Sequence, residues 1–245
     1  MAADRKTFEF MGAPVEWHDA IGSTNDRACE MAREKGEEAH GWIVGADVQN
    51  AGRGRKGSEW ISEPGVGLAF SMIIEPRWER CRWGWLSMTA ALAVCEGALL
   101  PHGLDPRIKW PNDLLIEGRK VCGILIETAG DLAVVGVGLN VNERSMPPEL
   151  AAVSMYELLG VETGREVLMG RIRAQLMNLI HLEESQIAER AWDRLAWKHA
   201  EVETAAGELG RIRGFGENAE LNVETSSQLV SLSDADGIRL AKVRE

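Results

Sequence analysis

Apolar residues recur along the chain at two spacings, and the changes between them mark the elements. Val15-Glu-Trp-His-Asp alternates and predicts a short strand. Ser23-Thr-Asn-Asp follows, with an apolar stripe at Ala28, Met31 and Ala32 that runs to Gly36, which predicts a capped helix. Trp42 to Val48 and Leu68 to Ile74 predict strands, the second a buried one ended by Pro76. Trp83 to Leu100 is rich in Ala and Leu and lacks proline, so a buried helix should run to Pro101. Arg107-Ile-Lys-Trp predicts a short strand broken by Pro111, and Leu114 to Glu117 with Lys120 to Thr128 predicts a hairpin turning at Gly118-Arg119. Leu132 to Val141 predicts another strand. Val167 to about Trp197 carries a helical stripe through Leu168, Ile172, Leu176, Leu179, Ile180 and Ile187. Beyond Trp197 the helical pattern stops, and short alternating runs at Leu221, Gln228 and Ile238 predict a small all-β unit. The reading divides the chain into residues 1–198 and 199–245. The second is too short for a substantial core and should pack on the first.

Composition changes the picture in a few places. The 245 residues are 45% hydrophobic, enough for one large domain and an appendage. The net charge of −11 argues against a dedicated nucleic-acid binder. The four cysteines, Cys29, Cys81, Cys95 and Cys122, are scattered without metal-ligand spacing, as in a reduced, cytoplasmic protein. No apolar run reads as a membrane span and no signal core opens the chain, so no membrane partner is expected. Nine tryptophans stand against one tyrosine, a bias without a functional reading in the sequence.

Against this acidic background, Gln49 to Trp60 (QNAGRGRKGSEW) stands out. Gly52, Gly54 and Gly57 spell a dinucleotide fingerprint, but Pro64 and two further glycines follow where that motif needs a helix. The loop also lacks the Gly-Lys-Ser/Thr of a phosphate loop. It remains a glycine loop holding Arg53, Arg55 and Lys56, suited to an anion or equally to a solvated basic turn.

Further polar clusters sit at element ends, where a scaffold positions functional groups. Ser23-Thr24-Asn25 can cap a helix or meet a ligand at its N-terminus. Lys109-Trp-Pro-Asn112-Asp113 suits a phosphate with bound Mg²⁺, or a plain Pro-Asn-Asp turn. Lys120 opens an apolar strand ending at Glu127, and can reach a buried carbonyl or phosphate, or merely guard a strand edge. Asn140 closes Gly136-Val-Gly-Leu-Asn. Cations and amides without a Ser-His or Cys-His pair point to chemistry by positioning and charge neutralisation, which adenylation of a carboxylate requires.

Ser23-Thr-Asn, QNAGRGRKGSEW, KWPNDLL, KVCGILIE and GVGLNVN, in this order and spacing, resemble biotin–protein ligase, biotin–[acetyl-CoA-carboxylase] ligase. The likeness is strong over residues 15–142. It implies an α+β fold, in which a mixed β-sheet flanked by helices, like class II synthetases, precedes a small SH3-like β domain. It implies adenylation of biotin with ATP and Mg²⁺, then transfer of biotin to one lysine of a biotin carboxyl carrier protein of a biotin-dependent carboxylase. By position, Ser23, Thr24, Asn25 and Gln49 would line the biotin ring pocket. Arg53, Gly54 and Arg55 would close over biotin and its adenylate, and Lys120 would reach the acyl carbonyl and phosphate. Lys109, Asn112 and Asp113 would serve ATP phosphates and magnesium, with Trp60 and Asn140 near the adenine. Arg55, Lys109, Asp113 and Lys120 would carry the catalysis. Ser58 stands where the family loop commonly has a further arginine. Only twenty-two residues precede Ser23, too few for the winged helix-turn-helix of some members, so no operator binding or nucleic-acid partner is expected. A homodimer stays open.

Two readings compete. A lipoate– or octanoate–protein ligase shares the acyl-adenylate logic but a different motif set. A biotin or nucleotide sensor would not need the phosphate-side groups Arg55, Lys109, Asp113 and Lys120.

Overall fold

The computed structural model describes residues 5–235 and 238–241. Eight strands form one sheet: β1 (Arg5–Phe10), β2 (Ala13–Ile21), β3 (Ile43–Gln49), β4 (Leu68–Ile74), β5 (Arg107–Lys109), β6 (Asp113–Ile116), β7 (Arg119–Ala129) and β8 (Leu132–Leu139). Their order across the sheet is β1-β2-β3-β4-β8-β7-β6-β5. Only β2 and β3 run parallel, joined through α1 (Thr24–Lys35); the other pairs are antiparallel, as in a mixed sheet.

Period-2 alternation sorts the sheet residues onto two faces. Leu68, Phe70, Met72 and Ile74 of β4 and Val135, Val137 and Leu139 of β8 face the main core. There they meet α2 (Gly84–Val94) and α4 (Arg165–Leu179), and α5 (Glu184–Arg194) packs on α2. The alternate residues Ile73 and Val134 face α1, which packs Ala28, Met31 and Ala32 on the opposite side. Two helical layers therefore sandwich the sheet.

α2 is apolar all round and almost entirely buried, as a central core helix must be. With the π and 3₁₀ turns that follow, its helical stretch Gly84–His102 has the length and composition of a membrane span, contrary to the expectation from sequence. Because 72% of it is buried inside the fold, it reads as the core helix of this molecule.

Other expectations shift as well. The stretch 167–197 is two helices, broken between Leu179 and Glu184. Glu183 forms a capping box with Gln186 and starts the second helix, although the apolar stripe runs through the break. The hairpin between β6 and β7 turns at Glu117-Gly118, both at positive φ (51° and 77°), one residue earlier than the spacing predicted. Strand β1 has no counterpart in the expected elements. It is almost wholly exposed, so its sequence carries no buried stripe. The short helix α3 (Met155–Leu159), started by a Ser154–Glu157 capping box, was likewise not expected.

The second sheet holds β9 (Glu201–Thr204), β10 (Leu209–Phe215), β11 (Leu221–Thr225), β12 (Leu229–Leu232) and β13 (Ile238–Leu240), all antiparallel, in the order β12-β11-β10-β9-β13. Tryptophans fasten it to the first unit. Trp85 Nε1 donates to Glu217 O (2.8 Å) and Trp110 Nε1 to Ala219 O (2.8 Å). Gly84 permits the approach, since a Cβ there would lie 2.1 Å from Asn218 O. Part of the tryptophan excess thus serves a seam that needs a large apolar body with one donor.

Candidate active site

The site is built on the α1 face of the sheet, and its floor is made of residues without side chains. Gly138 of β8 pairs with Ala69 on one side and Gly123 on the other; Gly136 pairs with Ser71 and Leu125. A Cβ on Gly138 would lie 2.3 Å from the Trp60 ring, and one on Gly136 2.3 Å from Asn25 Oδ1. The glycines therefore let Trp60 and Asn25 lie directly on the strands.

One wall is the N-terminus of α1. Ser23 occupies the N-cap position, yet its side chain makes no capping hydrogen bond and lines the cavity instead. The cap is supplied by Gln49 from the end of β3, whose Oε1 accepts from Thr24 N–H (2.8 Å) and lies 3.0 Å from Thr24 Oγ1. Asn25 Nδ2 donates to Glu127 Oε2 (2.6 Å), and Asn25 Oδ1 accepts from Ser71 Oγ (2.5 Å). The carboxylate can only accept, so these two bonds fix the orientation of the Asn25 amide. Ser71 and Glu127 belong to this network and were not among the expected site residues. The available signal was a lone hydroxyl in the middle of the apolar strand Leu-Ala-Phe-Ser-Met-Ile-Ile.

The glycine loop forms the rim. Trp60 N–H donates to Gly52 O (2.9 Å) and Gly54 N–H to Ser58 O (2.7 Å), which closes the loop as a small hairpin. Its turn places Lys56 and Gly57 at positive φ. Ser58 Oγ donates back to Arg55 O (2.9 Å) and braces the turn. Arg53 grips Asp26 of α1 through two bonds (2.7 and 2.6 Å) and also meets Glu127 (3.3 Å). The Arg53 hydrogen bonds hold the Asp26 carboxyl below its ordinary pKa. Arg55, by contrast, makes only a long bond to Asn112 Oδ1 (3.4 Å) and no ion pair among the described residues. It is the cation most available to a bound anion.

The far end holds Asn112, Asp113 and Lys120. The Trp110–Pro111 peptide is cis, and Asn112 Nδ2 donates to Ile124 O (2.9 Å), which aims Oδ1 at Arg55. Lys120 Nζ sits 2.7 Å from Asp113 Oδ1 and 5.6 Å from the Trp60 ring centroid. Asp113 Oδ1 is buried without a hydrogen-bond partner, so the contact with Lys120 compensates it as an ion pair of poor hydrogen-bond geometry. The cavity volume is about 160 Å³. Arg53, Arg55 and Lys120 line it; Asp26 and Glu127 face Arg53 and Asp113 faces Lys120, which leaves Arg55 as the lining cation without an ion pair among the described residues.

Eleven of the thirteen expected site residues line this one cavity: Ser23, Thr24, Asn25, Gln49, Arg53, Gly54, Arg55, Trp60, Asn112, Asp113 and Lys120. Two do not. Lys109 directs its Nζ over the Trp197 ring, 5.8 Å from the centroid. Asn140 is buried, and its Nδ2 donates to Lys120 O (3.3 Å) and Val153 O (3.1 Å), tying the start of β7 to the segment before α3.

The family model described as Biotin/lipoate A/B protein ligase family matches residues 17–142, which contain this whole cavity. The chain belongs to the biotin/lipoate A/B protein ligase family. Within that family it is 37% identical over 166 residues to the bifunctional ligase/repressor BirA of Bacillus subtilis, covering 64% of this chain and 50% of that protein. The chain thus spans about half the length of the Bacillus relatives it matches. It is 26% identical over 235 residues to the biotin--[acetyl-CoA-carboxylase] ligase of Mycobacterium tuberculosis, covering 92% of this chain and 82% of that one. The biotin protein ligase from Aquifex aeolicus, solved in complex with biotin and ATP, shares the fold with a TM-score of 0.80 at 24% identity, over 93% of this chain and 99% of that chain. The ligase-family fold, a mixed sheet flanked by helices followed by a small β unit, is therefore the fold of this protein.

Proposed function

We propose that this protein is a biotin–protein ligase. It would activate biotin with ATP as biotinyl-5′-AMP, then transfer biotin to a lysine of a biotin carboxyl carrier protein. Residues 1–198 would form the catalytic unit and 199–245 the appendage, working in the cytoplasm, where ATP and carboxylases meet. The observation that carries this reading is one cavity that joins neutral donors and acceptors at the start of α1 to Arg55 and Lys120 beside Asn112 and Asp113. Ser23, Thr24, Asn25 and Gln49 suit a ring urea, which offers one carbonyl and two N–H groups. Arg55 and Lys120 suit the carboxylate and α-phosphate that must be brought together.

The reaction then follows from charge. A biotin carboxylate oxygen attacks the α-phosphorus of ATP, and the bond to the pyrophosphate oxygen breaks with its electron pair. Two anions must approach, so Arg55 and Lys120 neutralise charge that grows on the phosphate oxygens. Trp60, seated on Gly123 and Gly138, excludes water from the reactive mixed anhydride. Magnesium fits the chemistry of Asp113, a carboxylate that phosphate oxygens of the substrate would complete, once Lys120 Nζ, 2.7 Å from Asp113 Oδ1, turns from that oxygen to the phosphate. Bound there, it would screen the phosphates. Lys109 would serve the phosphates only after leaving Trp197, and Asn140 would act on the adenine side by holding the Lys120 backbone in place.

The test is ATP–pyrophosphate exchange with biotin or lipoate as the acid. Biotin-dependent exchange is expected. Exchange with lipoate alone would move the protein to the other branch of its family. Tight biotin binding without exchange would make it a sensor.

A further inference from the structure

A second cleft, of about 390 Å³, opens beside the cavity at the seam between the two sheets. Arg55, Asn112, Ile124 and Leu125 line both, so the two spaces share a wall at the reacting end. Its sides are apolar, made by Trp83, Trp110, Pro111 and Ile126. Among the described residues its lining contains one carboxylate, Glu220, from the same turn that Trp85 and Trp110 anchor. Arg55 is the only cation among the described residues of that lining.

The geometry points to this cleft as the channel through which the acceptor lysine reaches the acyl-adenylate, with Glu220 as the residue that steers its ammonium. This rests on the ligase reading above. A lysine side chain is an apolar stem with a positive head, and apolar walls with a carboxylate match both parts. The other anion-bearing tenant of such an enzyme, a polyphosphate tail, needs several cations and would face Glu220 with Arg55 alone. Burial works against ionisation of Glu220. Hydrogen bonds from its own and Asn218's backbone N–H and from the Asn218 amide outweigh it and hold the carboxyl below its ordinary pKa. Asn218 N and Nδ2 lie 2.8 and 2.9 Å from the two carboxylate oxygens.

Position along the channel also serves the chemistry. An ammonium cannot attack, and an unperturbed lysine amine has a pKa of about 10.4. Moving past Glu220 towards Arg55 takes it from a site that favours its charge to one that disfavours it. One proton passes to water. The nitrogen lone pair then forms the bond to the acyl carbon, and the carbon–oxygen bond to phosphate breaks, with AMP taking that electron pair. The second nitrogen proton goes to water as the amide forms.

The test separates the two half-reactions in Glu220→Gln, which keeps the side-chain shape, and in Ser233→Lys, which adds a cation at an exposed position of the cleft. Both variants are expected to keep biotin-dependent ATP–pyrophosphate exchange within about twofold. Both should lower kcat/KM for a purified biotin carboxyl carrier domain about tenfold, chiefly through KM, a loss that high salt erases because steering is screened. Consumption of the adenylate by hydroxylamine, a small neutral nucleophile, should stay unchanged. Carrier transfer within twofold of the parent would overturn the channel. So would a matching change in ATP or pyrophosphate KM, which would assign the cleft to the polyphosphate. Loss of exchange in the parent protein would instead refute the ligase reading itself.

Discussion

Ser71 Oγ donates to Asn25 Oδ1 across 2.5 Å, joining the centre of a buried strand to the first turn of α1. Ser71 is fully buried, and it also lies 2.8 Å from Thr24 Oγ1. One serine thereby orients two of the groups proposed to read the biotin ring. Ser71→Ala leaves Asn25 Oδ1 without its donor, at a cost of about 1–3 kcal/mol. Calorimetry should show biotin Kd raised about tenfold, which corresponds to about 1.4 kcal/mol, with the overall fold retained. An unchanged Kd would remove Ser71 from the site.

Lys120 is the cation proposed to meet the acyl carbonyl and phosphate, and it also compensates the buried Asp113 Oδ1. Lys120→Ala should lower the adenylation rate by about 10²–10³, the usual effect of deleting one preorganised donor to a developing charge. Single-turnover pyrophosphate release measures this directly. A rate equal to the parent's would show that the ion pair with Asp113 is only structural.

Arg55 borders both the cavity and the seam cleft and is otherwise lightly held. Arg55→Gly should loosen retention of the adenylate, so that free biotinyl-AMP accumulates in a filtrate and labels bystander lysines. Retention as tight as in the parent would shift the closing role to Arg53, which binds Asp26 and Glu127.

Glu143 is a buried acid outside the proposed chemistry. Burial pushes its pKa up, only partly offset by backbone hydrogen bonds and by Ser62 Oγ at 3.1 Å, and its Oε2 has no partner. The folded state therefore holds the Glu143 proton more tightly than the unfolded chain does. Its contribution to stability is fully present below the unfolded carboxyl pKa of about 4.3 and is lost as pH rises through the folded value. Glu143→Gln should abolish that loss. Melting temperatures between pH 4 and 8 should converge at the acid end and separate at the neutral end, with the variant higher. Parallel curves would contradict the assignment.

The sequence made most of the cavity legible because its ligand-type residues sit at the ends of strands and helices, where polarity interrupts a periodic pattern. Ser23, Gln49, Asp113 and Lys120 are all of this kind. Ser71 lies mid-strand among apolar residues, and its partners come from α1, so only the tertiary fold gives it meaning. Lys109 lies outside the cavity lining for the converse reason. Its position beside Trp-Pro-Asn-Asp suited a phosphate, but Trp197, nearly ninety residues later, draws its ammonium away. The break between α4 and α5 was hidden because Ile180 continues the buried stripe while the backbone leaves the helix. Strand β1 was invisible because exposed strands lack the alternation that burial imposes.

The seam tryptophans have an optical consequence. Trp85 and Trp110 hold the second sheet through their indole N–H groups, and Trp60 lies on the glycine floor of the cavity. The chain's own ultraviolet emission therefore carries two separable signals. Detachment of the small unit would expose Trp85 and Trp110 to water and shift emission to the red. Filling of the cavity would alter Trp60 alone, and its change would vanish in Trp60→Phe. Ligand capture and docking of the second sheet can thus be followed in one cuvette without any added label.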